Sequence, residues 1–255
     1  MMRIKQRMST IKLSVIVPSY NESVEVKRAA IHAIDEYLSK QSYSYEVLIV
    51  DDQSTNNTLE MVEAEIKDRK GFRLIKNSHG GKAIAVMTGL LASRGEIALF
   101  TDMDQATPIT ELGQVLPKFG QGYNVVIGSR HGRKGAPLIR KLASLVFSLL
   151  RNLILGLPFS DTQCGFKALD RKAITVVIAD MLKSWQDTRA GGAAVNVGFD
   201  VEMLFIARKR GLKIASVDVN WHHVGNEKQV QLIKDSLEAV RDIVKLRFNS
   251  LTGRI

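Results

Sequence analysis

Asp102-Met103-Asp104 sets two carboxylates two residues apart, where the apolar run Ile97-Ala98-Leu99-Phe100 breaks off. A strand that ends in two acids suits a core poorly and a divalent cation well. Mg²⁺ and Mn²⁺ prefer oxygen ligands and commonly share one or two carboxylates with the phosphates of a substrate. The same spacing also caps ordinary turns, so its company decides what it means. Pro18-Ser19-Tyr20-Asn21-Glu22 follows the apolar run Leu13 to Val17, and Asp51-Asp52 follows Val47 to Val50. Three apolar strands ending in polar clusters outline one rim of a parallel sheet, where open α/β folds bind their ligands.

The elements that must position these residues alternate along the chain. Strands are expected near 13–17, 46–50, 72–76, 97–101 and 124–128, with helical patterns near 23–40, 56–69, 81–94 and 110–119 between them. That alternation predicts an α/β fold built on a mostly parallel, Rossmann-like sheet flanked by helices. The second half is less regular: helices are expected over 138–155, 171–184 and 200–210, and a strand near 213–219. From Lys228 to Phe248, Val230, Ile233, Leu237, Val240, Ile243, Val244 and Phe248 recur at helical spacing beside Lys234, Arg241, Lys245 and Arg247. This is an amphipathic, basic helix. With 255 residues and no Pro/Ser-rich linker, the two halves are expected to share one core.

A formal net charge of +10 calls for an anionic partner. No Asp or Glu occurs from Leu112 to Ser160, a stretch that holds Lys118, Arg130, Arg133, Lys134, Arg140, Lys141 and Arg151. Aromatic interleaving is sparse and no nucleic-acid motif is present, so nucleic acid is not the expected partner. Basic residues beside the apolar run Leu142 to Leu155 suit an anionic membrane surface or a lipid phosphate. A buried core helix is the competing reading. The single cysteine, Cys164, excludes an intramolecular disulfide and fits a reducing, cytoplasmic setting. No apolar h-region follows the basic N-terminus, so no signal peptide is expected. No apolar stretch is long enough to span a bilayer, the nearest, Leu142 to Pro158, being interrupted by Arg151. A protein lying peripherally on the cytoplasmic face of a membrane is the expectation.

Seven stretches occur in one order: Pro18 to Glu22, Asp51-Asp52, Gly81-Lys82, Asp102 to Asp104, Gly128-Ser129-Arg130, Asp161-Thr162-Gln163-Cys164-Gly165-Phe166-Lys167, and Gly198-Phe199-Asp200-Val201-Glu202. In that order they resemble the inverting family 2 glycosyltransferases of the GT-A fold. More narrowly the chain is similar to dolichyl-phosphate or polyprenyl-phosphate glucosyl- and mannosyltransferases, from about Leu13 to Lys228. The resemblance implies a catalytic domain over 1–227, with a nucleotide-sugar half of 11–115 and an acceptor half of 116–227, followed by the helix of 228–255.

What the resemblance implies for single residues can be set beside their chemistry. Pro18, Tyr20, Glu22, Asp52, Lys82, Asp102, Met103 and Lys228 would line the site of a nucleotide-sugar donor, UDP-glucose or GDP-mannose. Tyr20 offers a stacking surface, and Asp52 can accept hydrogen bonds from a base or ribose. Asp52 can equally cap the helix beginning near Asn56. Asp104, with Asp102, would hold Mg²⁺ or Mn²⁺ across the donor diphosphate. Asp200 and Glu202 fall where relatives carry an acidic pair that helps the acceptor react. Both acids also suit the positive end of a helix starting there. Arg130, Arg133, Arg140 and Ser144 would hold the acceptor, a polyprenyl or dolichyl phosphate, Arg being suited to phosphate oxygens. The expected catalytic residues are Asp104, Asp200 and Arg130. A phosphate monoester has a second pKa of about 6, so the acceptor needs no dedicated general base.

Two departures matter. The family's Gly-Lys-Gly turn reads Gly81-Lys82-Ala83, and Ala106 stands where mannosyl-phosphate synthases carry a polar residue, which favours glucose. Trp221-His222-His223 is read as structural rather than metal-binding. Two other functions compete: a soluble glycosyltransferase with a small phosphorylated or hydroxyl acceptor, and a non-catalytic sugar-nucleotide or nucleic-acid binder.

Overall fold

The computed structural model describes residues 11–130, 138–185, 198–222 and 232–252, and within them the side chains other than those at 138–145, 184–185 and 232–239. Strand β1 (Leu13–Ser19) is buried along its whole length, as a central parallel strand covered on both faces must be. It pairs in parallel with β2 (Tyr45–Asp51) on one side and β4 (Ile97–Phe100) on the other, and β2 pairs with β3 (Phe72–Lys76). The crossovers carry helices α1 (Ser23–Lys27), α2 (Ala30–Ser39), α3 (Thr58–Ile66) and α4 (Lys82–Ala92). The single helix expected over 23–40 is two helices. They part at Ala29, whose φ of 63° is left-handed, and no glycine or proline announces the break.

Beyond β4 the sheet continues with β5 (Val125–Arg130), β6 (Lys167–Asp170) and β7 (Ile214–Val219), giving the order β3-β2-β1-β4-β6-β5-β7. β6 was not expected. It is four residues long and charged at both ends, so it carries no alternation to read. It runs antiparallel to both β4 and β5, which makes the sheet mixed rather than wholly parallel. Helices α5 (Leu112–Gly120), α6 (Leu138–Leu155), α7 (Arg171–Trp185), α8 (Phe199–Lys209) and α9 (Leu232–Leu251) complete the described structure.

Alternation along β1 sends Ile16 to one face and Val15 and Val17 to the other, and a core forms on each side. One joins Ile16, Leu48 and Phe100 to Phe199, Leu204, Ile243 and Leu246. The other joins Val15, Ile49 and Leu99 to Phe166 and Val217. Both cores draw on both halves of the chain, and α9 contributes to the first. Gly89 lets α4 lie close on β1: a Cβ there would fall 2.3 Å from Ile16 Cγ2. That approach fixes where the N-terminal end of α4, with Lys82, meets the sheet.

The end of the sheet away from the polar loops is tied by a buried acid. Glu46 accepts hydrogen bonds from Ser14 Oγ (2.7 Å), from the Arg94 backbone N–H (2.7 Å) and from the Arg94 guanidinium (2.8 Å). Burial alone would raise its pKa, but Ser14 and Arg94 together hold it below the ordinary value. With its folded pKa below its unfolded one, Glu46 stabilises the protein at neutral pH, and this is lost as pH falls through the folded value. Glu46→Ala is expected to cost about 1–3 kcal/mol in neutral urea unfolding, since the Arg94 guanidinium it leaves behind is exposed, with the gap to the parent closing in acid.

Candidate active site

β2 and β3 lie to one side of β1, and β4 lies to the other, so the order reverses between β1 and β4. A crevice opens at such a switch point, outside the carboxyl ends of the strands. β1 stays paired with β2 up to Ser19 opposite Asp51, whereas its pairing with β4 ends at Ile16 opposite Phe100. The loops after β1, β2 and β4 therefore gather on one rim. Each holds one non-glycine residue in the left-handed region: Asn21 (φ 58°), Gln53 (φ 63°) and Gln105 (φ 50°). Such conformations cost on the order of 1–3 kcal/mol each and persist only when their surroundings enforce them. Asn21 Oδ1 accepts from the Thr55 N–H (2.9 Å), lacing the first loop to the second. Gln105 Nε2 donates to the Asp102 carbonyl (2.8 Å), closing the turn that carries both acids.

At the centre Lys82, the first residue of α4, forms an ion pair with Asp102. Burial favours a neutral amine, but Asp102, Asp200 and Asp104 overcome it and raise the Lys82 pKa. Asp104 accepts the Ala106 N–H at Oδ1 (2.9 Å). Its pKa is raised by burial against that hydrogen bond, with Asp102 adding to the rise. Glu22 is pushed up to about 7, first by burial, then by Asp104, Glu25 and Asp102. So much negative charge around one ammonium favours a further cation. Among the described residues no three His, Cys, Asp or Glu side chains form a metal cage. Asp102 and Asp104 are hard oxygen donors, and they fit a cation that takes its other ligands from phosphate and water.

Asp102 keeps its place because residue 165 is glycine: a Cβ there would lie 2.1 Å from Asp102 Oδ2. The same segment supplies two more charged groups. Lys167, fully buried, donates to Asp200 Oδ1 (2.5 Å) and to the Cys164 carbonyl, and it lies over the Phe100 ring. Asp161 accepts from Arg130 at Nε (2.6 Å) and Nη2 (2.9 Å) and from its backbone N–H (3.1 Å). Burial opposes the ionised Asp161 carboxyl, yet Arg130 holds its pKa at about 2.

The structure thus brings Glu22, Lys82, Asp102, Asp104 and Asp200 into one electrostatic cluster. Tyr20 stands beside His79, with ring centroids 4.8 Å apart. Other expected residues meet different surroundings. The Met103 side chain turns into the core. Pro18 is buried within β1, opposite Val50. Asp52 does not cap α3; Asp51 serves that loop by accepting from Ser54 Oγ (2.6 Å) and N–H (3.1 Å). The Asp52 carboxylate is directed to the loop before α4 and accepts from Asn77 Nδ2 (2.9 Å) and the Gly81 N–H (2.8 Å). Arg130 is held by Asp161 through Nε and Nη2 and lies over Trp221, its guanidinium carbon 5.9 Å from the ring centroid. His222 is structural through its backbone, donating to the Ala106 carbonyl (2.8 Å). Arg133 and Lys228 lie outside the described residues, as do the side chains of Arg140 and Ser144.

Asp161, Gly165, Lys167 and His79 were missed as site residues. The first three sit in a motif the sequence displays, but only folding shows that Gly165 abuts Asp102 and that Lys167 holds Asp200. A lone His79 carries no signal.

Residues 14–177 match the model of glycosyl transferase family 2. The chain belongs to that family. It is a glycosyltransferase, and its fold is GT-A. A dolichyl-phosphate beta-glucosyltransferase of Dictyostelium discoideum is 32% identical over 98% of this chain and 78% of that protein. The Homo sapiens dolichyl-phosphate beta-glucosyltransferase is 30% identical over 96% and 77%. Among solved structures, glucosyl-3-phosphoglycerate synthase of M. tuberculosis superposes with a TM-score of 0.65 at 20% identity, covering 92% of this chain and 80% of that one.

Two outcomes test this geometry. The folded pKa of Glu22, about 7, exceeds its ordinary 4.5, so its ionisation costs stability that is lost progressively as pH rises between those values. Glu22→Gln is therefore expected to raise the melting temperature at about pH 8 in chelator and to give no gain at about pH 4. Gly165→Ala, which drives a methyl into Asp102, is expected to lower sugar transfer about tenfold or more, as small displacements of positioning groups do, while circular dichroism stays that of the parent.

Proposed function

We propose that this glycosyltransferase moves glucose from UDP-glucose to the phosphate of dolichol or another polyprenol held in a membrane, with inversion at the anomeric carbon. The observation that carries this reading is the Asp102, Asp104 and Lys82 cluster at the β1/β4 switch point. The names of the relatives support it. So does the Mn²⁺ and UDP complex of the M. tuberculosis glucosyl-3-phosphoglycerate synthase, which superposes with a TM-score of 0.61 at 18% identity over 95% of this chain and 79% of that one.

Asp104 and Asp102 would hold the divalent cation, Mg²⁺ or Mn²⁺, which supplies Lewis-acid stabilisation of the departing diphosphate. Lys82 places a second positive charge beside that diphosphate, at the favourable end of α4. Tyr20 and His79 offer aromatic faces to the base. An acceptor phosphate oxygen attacks the anomeric carbon and forms the new C–O bond. The bond to the nucleoside diphosphate breaks, and its electron pair leaves on the terminal phosphate oxygen. An α-linked donor gives a β-linked product. The acceptor dianion needs no base, and Asp200, held by Lys167, would accept a hydrogen bond from an acceptor that arrives as the monoanion. Arg130, fixed by Asp161 and Trp221, presents its guanidinium to the acceptor phosphate.

The test supplies radiolabelled UDP-glucose or GDP-mannose, polyprenyl phosphate and Mg²⁺ or Mn²⁺, and measures label entering the organic phase. Label from UDP-glucose is expected, dependent on the metal and reduced on the order of a hundredfold or more in Asp104→Ala. Label from GDP-mannose alone would replace glucose with mannose. Metal-dependent UDP-glucose hydrolysis without lipid labelling would move the acceptor to a small water-soluble molecule.

A further inference from the structure

Helices α6 and α9 pack against one another and onto one core, yet each leaves an apolar stripe in solvent. On α6, Phe147, Leu150, Ile154 and Leu155 face the core, while Val146, Leu149 and Leu153 are 48%, 60% and 84% exposed. On α9, Ile243 and Leu246 are buried, while Val244, Phe248 and Leu251 are 51%, 59% and 72% exposed. Spacings of three and four residues put each trio on a single helix face. Isolated exposed hydrophobics need no explanation, but two such stripes on touching helices do.

Charge singles out what covers them. Arg241, Lys245 and Arg247 are exposed on α9 beside its stripe. The chain carries no acid anywhere from Leu112 to Ser160, which includes all of α6. An apolar face with basic flanks fits the headgroup boundary of an anionic bilayer, where such helices lie in the plane of the surface. Among the described residues no helix is long and apolar enough to cross a membrane. We infer that the paired stripes of α6 and α9 are a docking surface for an anionic lipid membrane. This rests on the reading above in one respect, that the acceptor is a lipid.

The face is connected to the site. Arg151, buried on the inner side of α6, donates to Ser148 Oγ (2.9 Å), to Thr162 Oγ1 (3.0 Å) and to the Phe159 carbonyl. It thereby ties the helix to the segment around Asp161, the partner of Arg130. On the other helix, Asp242 packs against Gly198, two residues before Asp200. A membrane seated on α6 and α9 is thus linked through single contacts to both groups assigned to the acceptor phosphate.

The experiment is co-sedimentation of the full chain with phosphatidylcholine vesicles, with and without phosphatidylglycerol. The double variants Leu149→Glu/Leu153→Glu and Phe248→Glu/Leu251→Glu are compared with Leu91→Glu, an exposed apolar residue on α4. Binding is expected only to the anionic vesicles. It should fall about tenfold or more in both double variants, as removal of buried apolar area and added like charge predict, and stay unchanged in Leu91→Glu. Equal binding by all variants, or no binding by the parent, would overturn the inference. So would a parent dimer that the double variants split with no change in vesicle binding. Transfer to a short, water-soluble prenyl phosphate, measured on the same samples, keeps the two readings apart. Loss of that transfer in the parent counts against the proposed reaction and leaves the vesicle result standing.

Discussion

Carboxylates can be gathered at one rim of a sheet only if something positive holds them there. In this protein that is the Lys82–Asp102 pair, and much of the site follows from it. Lys82 is delivered by the start of α4, whose height over β1 depends on the missing side chain of Gly89. Asp102 is delivered by the end of β4 and keeps its orientation because Gly165 leaves room for its carboxylate. Two close approaches, one between helix and strand and one between loop and carboxylate, therefore set one ion pair. Without it, Glu22 and Asp104 would face one another with less positive charge between them, and carboxylates so placed take up protons more readily.

The antiparallel strand β6 explains why the two sides of the rim are built differently. On one side, parallel strands release loops toward the rim, and those loops are laced by Asn21 and Gln105. On the other the chain runs from the segment 159–166 into β6, so Asp161, Gly165 and Lys167 arrive at the rim from the opposite direction. One short segment consequently supplies the partner of Arg130, the space for Asp102 and the partner of Asp200. The motif is dense because its backbone crosses the site before entering the sheet.

The opposite end of the sheet carries a different balance. There Glu46 is satisfied by Ser14 and Arg94 and fastens strands together, with its charge fully compensated. At the rim, compensation is left incomplete. That contrast is what separates a structural acid from one placed to receive a cation, and it is invisible in composition, since both are ordinary carboxylates in a basic chain.

The rim itself was legible in the sequence, because apolar runs that stop at Glu22, Asp52 and Asp104 report strand ends through a local signal. The helices over 138–155 and 171–184 were legible for the same reason, since periodicity is a property of neighbouring residues. The ordered motifs also carried the family. Other features depend on residues far apart in sequence meeting in space. Only folding placed Lys167 on Asp200, Gly165 against Asp102 and His79 beside Tyr20. It also turned Met103 inward and directed Asp52 to the loop before α4 instead of to the start of α3. A sequence states which residues are able to do chemistry and roughly where each element ends. Which of them touch is decided by packing, because distances across a sheet depend on register, crossover and the volume of side chains contributed by distant parts of the chain.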